Sequence, residues 1–183
     1  MKKIITFFIL CIVLLTGCTA NAPAIEQAVW EPYVGTYIGD HLNVSKIAGT
    51  VFMLGDTIDQ FDLRGEVLRV IYRTDNEALS KWFTSSTSRE EAIVYNAMMA
   101  TILVPNAKGY AFSIDGEMFE LSREVLINEM ESIFPTLPQG NDFFDGERVK
   151  AFLQKYEGTI QQYAVDTSYQ NTFIKQFLIT KSS

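Results

Sequence analysis

The chain has 183 residues, with 15 Lys+Arg against 22 Asp+Glu, a formal charge of −7, two cysteines and one histidine. An acidic chain is repelled by phosphate backbones, which argues against a nucleic-acid partner, and it gains nothing from an anionic membrane surface. With His41 as the sole histidine, a multi-histidine metal site is excluded, and a Ser-His-Asp triad would have to use that residue.

Residues 1–17 have the order of a secretory signal: Lys2 and Lys3, an apolar run over 4–15, then the small residues Thr16 and Gly17. The run is about a dozen residues, too short to cross a hydrocarbon core of ~30 Å as a helix. Leu15-Thr16-Gly17-Cys18 resembles the lipobox of bacterial lipoproteins. The resemblance implies cleavage after Gly17 and a diacylglycerol thioether on Cys18. Two acyl chains anchor stably where one does not. Cleavage leaves 166 residues and, with Lys2 and Lys3 gone, a charge of −9. Cys11 sits between the bulky Leu10 and Ile12 and reads as a small hydrophobe of the signal. The mature chain then holds no cysteine but Cys18, which excludes disulfides, Cys-rich zinc sites and a thiol nucleophile.

Residues 18–30 read as a tether and 31–183 as a single domain. Asp40 or Asn43 is placed to cap a helix whose apolar face is Val44, Ile47, Val51 and Leu54. Runs at 58–63 and 66–73 flank Arg64-Gly65 and predict a hairpin. A short helix is predicted over 76–83 and a polar loop over 84–88. Ser88-Arg89-Glu90-Glu91 has the form of a capping box, with Ser88 capping and Glu91 reaching back. The helix that follows, to about Val104, is apolar almost all round and predicts a central, buried element.

Asp115-Gly116, between apolar runs at 110–114 and 117–121, is the strongest hairpin signal. Ser122 is placed to cap a helix over 123–133, with Val125, Leu126, Glu129, Met130 and Ile133 as its inner edge and Pro135 and Pro138 as its stop. A loop over 135–145 carries Phe143 and Phe144 side by side, which read either as an exposed partner contact or as packed onto the domain. Asp145 is placed to cap a helix over 146–163, with Val149, Phe152, Leu153, Tyr156 and Ile160 facing in. Around 169–180 helix is preferred over strand. The predicted fold class is α+β: antiparallel hairpins packed against a buried central helix, with further C-terminal helices.

Two blocks carry a family resemblance. The first is Tyr37-Ile38-Gly39-Asp40 followed by Asn43-Val44-Ser45-Lys46-Ile47. The second is Tyr95-Asn96-Ala97, the helix end Leu103-Val104-Pro105-Asn106, then Leu121-Ser122-Arg123-Glu124. Together they resemble the bacterial family called domain of unknown function 4825 over about 33–133. The resemblance implies a small extracytoplasmic lipoprotein or the outer part of a membrane-bound sensor, and brings no known activity. Pro105, Ser122 in place of Thr, and the C-terminal extension depart from the family pattern.

Chemistry-bearing clusters are few. Asp40-His41 reads as a polar helix entry rather than a catalytic pair. Glu90 with Glu91, Glu129 with Glu131, and Asp142 with Asp145 read as solvated acidic faces rather than glycosidase or calcium carboxylates. Arg64, Arg69 and Arg73 read as surface ion-pair partners. Asn96, polar inside an apolar helix, requires a hydrogen-bond partner if buried, and Arg123 in a first turn opposes the helix dipole. Asp40, Asn96 and Arg123 are therefore the candidates for a polar network or ligand contacts. No cofactor, no metal site and no catalytic residue is expected. The expected function is a lipid-anchored binding or sensing module at the cell membrane, held through Cys18 and facing a protein partner or small ligand. The rival is an envelope-directed hydrolase using His41 and carboxylates.

Overall fold

The structure is a computed structural model that describes residues 28–73, 89–114 and 117–181. The signal, Cys18, the helix and loop predicted over 76–88 and the Asp115-Gly116 turn lie outside the described residues.

Helix α1 (His41–Lys46) opens on Asp40, whose Oδ1 accepts from the Asn43 amide at 3.1 Å and whose Oδ2 accepts from Asn43 Nδ2 at 2.8 Å. It widens into a π turn, Ile47–Val51, closed by the Phe52 amide donating to the Ile47 carbonyl. Val44, Ile47, Val51 and Leu54 are all buried, as their spacing predicts. Strand β1 (Ile58–Asp62) and strand β2 (Val67–Tyr72) form the first antiparallel hairpin. Along β2, Leu68, Val70 and Tyr72 face the core while Val67, Arg69 and Ile71 are half-buried, the period of a strand with one face covered.

Helix α2 (Arg89–Leu103) is the centre of the molecule: every residue from Glu91 to Leu103 is buried. It packs on strand β3 (Gly109–Ile114) and on three later helices, α3 (Arg123–Ile133), α4 (Gly146–Val165) and α5 (Thr167–Phe177). Strand β4 (Glu117–Ser122) pairs antiparallel with β3, and strand β5 (Leu178–Lys181) antiparallel with β4. The sheet order is β1-β2-β3-β4-β5.

The sheet is mixed. Both predicted hairpins are antiparallel, but β2 runs parallel to β3, joined by a crossover that includes α2. A parallel neighbour requires such a long connection, usually a helix. The C-terminal element is helix to Phe177 and then strand, so both readings of 169–180 hold for part of it.

The expected tether ends earlier than residue 30. Trp30 is 2% exposed and Ala28 packs against the core, so both belong to the fold. On α3 the inner edge is Leu126 and Met130, with Ile127 packing beside them; Val125 is 45% exposed. Asp145 caps α4 as predicted, accepting from the amides of Glu147 and Arg148. Ser122 occupies the N-cap position of α3 but makes no side-chain cap bond, because it is also the last residue of β4. A run of ring contacts from Phe134 through Phe152 and Tyr156, and through Tyr163, Tyr169 and Phe173, fills the space between the C-terminal helices.

Candidate functional site

Asp40, Asn96 and Arg123 do not form one network; each makes its own set of contacts. Asp40 is an exposed helix cap. Asn96 is fully buried and clamps the backbone of Met53: its Oδ1 accepts from the Met53 amide at 2.7 Å, and its Nδ2 donates to the Met53 carbonyl at 3.0 Å and to the Tyr72 hydroxyl at 2.9 Å. The chain has just left the π turn at Met53, so the amide and carbonyl of this residue lie beyond the helical ladder. Asn96 supplies one donor and one acceptor in register. Asn106 does a related job that sequence reasoning missed: its Oδ1 accepts from the Ile38 amide at 2.8 Å. Asn106 thus ties the two sequence blocks, 37–47 and 95–124, together, while Asn96 ties the second block to Met53 and Tyr72.

Arg123 emerges directly from β4, with its amide donating to the Lys108 carbonyl at 3.0 Å. Its guanidinium lies over the buried Phe143 ring, 4.6 Å from the centroid, and donates to the Thr101 carbonyl at 3.2 Å. These contacts offset the unfavourable place of a cation in a first turn. Nε is buried without a partner. The fully buried Tyr110 hydroxyl lies close to Thr101 and Arg123 but makes no well-aligned bond; burial pushes it up to about 12. Arg123 has no carboxylate partner among the described residues. It lines an open pocket of about 500 Å³ together with Lys108, Ser122, Glu124, Ile127 and Asn128. A second groove, about 470 Å³, runs between the 136–142 loop and α4 past Arg148 and Lys155.

The loop phenylalanines part company. Phe143 is 1% exposed and packs onto the domain beneath Arg123. Phe144 stays exposed and rests against the exposed Tyr37, ring centroids 5.3 Å apart.

Several of the other candidates are accounted for by local pairing. Glu90 and Glu117 both pair with Arg89. Arg148 bridges Asp142 at 2.5 Å and Asp145 at 3.3 Å. Glu129 lies close to the Tyr169 hydroxyl, which burial and then that charge push up. Arg64 grips Asp62 at 2.8 Å and holds its carboxyl down near 2, while Arg69 donates to the Arg64 carbonyl. His41 is exposed at the start of α1, and its imidazole has no partner among the described residues. Among the described residues no three His, Cys, Asp or Glu side chains gather to hold a metal ion, and no helix is long and apolar enough to cross a membrane. No protein-family model, curated protein or solved structure matches the chain.

Proposed function

We propose that this chain is a lipid-anchored, extracytoplasmic binding or sensing module that works without turnover. The lipobox resemblance at Leu15–Cys18 supports the address. The observation that carries the binding reading is Arg123. A guanidinium drawn out of water is normally paired with an anion. This one has a ring face and a carbonyl, and it lines a pocket in the size range of small-molecule sites. Ser122 and Asn128 supply further donors around it; Lys108, paired with Glu66, adds positive charge and Glu124 adds a carboxylate to the same lining. A small anionic ligand, carboxylate or phosphate, would complete the site through charge-assisted hydrogen bonds.

The test is thermal unfolding of the full lipoprotein against rising inorganic phosphate and, separately, citrate. Binding to the folded state alone raises stability by about 2.7 kcal/mol at a hundred times Kd. The melting temperature is expected to climb with at least one anion in the wild type, and not in Arg123→Gln. A cooperative melt that neither anion moves removes the pocket as the binding site. Hydrolysis of cell-wall polymer or peptide by the wild type, lost in His41→Ala with folding retained, would overturn the binder in favour of the hydrolase.

A further inference from the structure

The geometry points to a membrane-facing end of the molecule, formed by Val29, Tyr37, Leu42 and Phe144 and seated on the headgroup region of the bilayer. This inference rests on the lipid anchor proposed above and adds an orientation to it.

Eight large apolar side chains are exposed among the described residues, and four of them are these: Val29 at 60%, Tyr37 at 58%, Leu42 at 64% and Phe144 at 38%. Val29, Tyr37 and Leu42 come from one short stretch of chain, and Phe144, from the distant 135–145 loop, meets Tyr37 beside the start of α4. Tyr37 and Phe144 are in ring contact. Phe144 stands two residues before α4 begins at Gly146. Lys150, in the second turn of α4, pairs with Glu31 at 3.2 Å, which draws Val29 to the same end. The Asp40 amide donates to the Tyr37 carbonyl at 2.8 Å, and this tight turn carries the chain back to Leu42.

The occupant follows from where the chain leads. Ten peptide links join Cys18 to Ala28, the first described residue. Fully extended, they span at most ~35 Å. An anchored Cys18 therefore keeps this end close to the bilayer. A contact too weak to hold a free protein becomes populated once a short tether supplies the effective concentration. Tyrosine suits the place, since its ring is apolar and its hydroxyl stays wet. Asp40, Asp142 and Asp145 stand within three residues of Tyr37 or Phe144 in the chain, so this end gains nothing from anionic lipid and the proposed contact is apolar. Val165 marks the opposite end: it is also exposed, but lies fifteen residues beyond Lys150 on the same helix, ~22 Å away at 1.5 Å per residue.

The experiment uses the full lipoprotein in phosphatidylcholine vesicles, with Leu42→Cys or Val165→Cys carrying an environment-sensitive thiol fluorophore. The parent chain is the control for the anchor, because a Cys18 that carries its thioether takes up no label. The Leu42 label is expected to emit further to the blue than the Val165 label. Nitroxide-bearing lipid should quench it at least about twofold more, as for groups sunk ~5–10 Å into the interface. Adding Tyr37→Ser and Phe144→Ser should abolish that difference. Equal, water-like emission at both positions on anchored protein overturns the orientation and leaves the anchor standing. A blue-shifted Leu42 label that nitroxide lipid does not quench assigns the face to a second copy of this chain and overturns the membrane contact. Label uptake by the parent, with failure to float with vesicles, overturns the anchor and the orientation with it.

Discussion

Asn96 does for Met53 what a neighbouring strand would do. One side-chain amide meets both backbone polar groups of a residue that the helix–π turn–loop transition has stranded in the core. A third bond, to the Tyr72 hydroxyl, ties the same point to β2. Asn96→Leu keeps the volume close and removes all three. Each buried group left without a partner costs about 1–3 kcal/mol. The variant is expected to lose at least about 3 kcal/mol, seen as a lower urea midpoint at an unchanged slope. A loss below about 1 kcal/mol would mean that water takes over these bonds and that the clamp is dispensable. The need for a partner was legible in the sequence, because an amide inside an apolar helix has few other reasons to be there. Its identity was not, since nothing local connects residue 96 to a peptide 43 positions away. Phe143 and Phe144 show the same limit. Two adjacent aromatics in a loop look alike in sequence; the short 3-10 turn Gly140–Phe144 sends one beneath Arg123 and leaves the other at the surface.

At the scale of elements, what could be read was what neighbours in sequence decide. Asp145 and Asp40 cap their helices because the cap bond spans two or three residues. The all-round apolar pattern of α2 gives its buried place, and alternation along β2 gives its inward face. The parallel pairing of β2 with β3 depends on a crossover and leaves little local trace. One signal pointed to it: Tyr110, Ala111 and Phe112 are apolar in succession and buried on both faces, as expected of a strand in the middle of a sheet. Gly109 opens that strand where the backbone of β4 comes closest. A Cβ placed there would sit 2.8 Å from the Leu121 carbonyl oxygen, a backbone atom that cannot swing aside. Gly158, exposed inside α4, has nothing within 4 Å. Gly109→Ala is therefore expected to destabilise by ~1–3 kcal/mol, as overpacking does, and Gly158→Ala to stabilise by up to ~1 kcal/mol. Chemical denaturation of the two variants side by side checks the pair. Equal effects would show that β4 can move away from β3 at this point.

For the molecule as a whole, the buried tyrosines set an alkaline limit. Tyr72 on β2, Tyr95 on α2, Tyr110 on β3 and Tyr169 on α5 are all pushed up, burial being the largest cause in each. Tyr95 and Tyr110 rise from 10.0 to about 12. Below the unfolded value both states keep the phenol proton, so these groups leave stability unchanged. Between that value and the raised folded value, the unfolded chain releases protons that the folded chain retains. Stability must then fall as pH rises. Each tenfold gain in proton affinity corresponds to ~1.4 kcal/mol, so two phenols that each hold their proton about a hundredfold more tightly are worth ~5 kcal/mol across this window, against a typical total of ~5–15 kcal/mol. Stability is expected to fall steeply between pH 10 and pH 12. Tyr110→Phe isolates one contribution, because its hydroxyl makes no well-aligned bond and its loss costs little at neutral pH. That variant should match the wild type at neutral pH and lose less stability through the alkaline window, measured by urea midpoints at each pH. Parallel curves for the two proteins would show that water reaches the Tyr110 hydroxyl in the folded state, and the polar cluster of Thr101, Tyr110 and Arg123 would then be hydrated rather than dry.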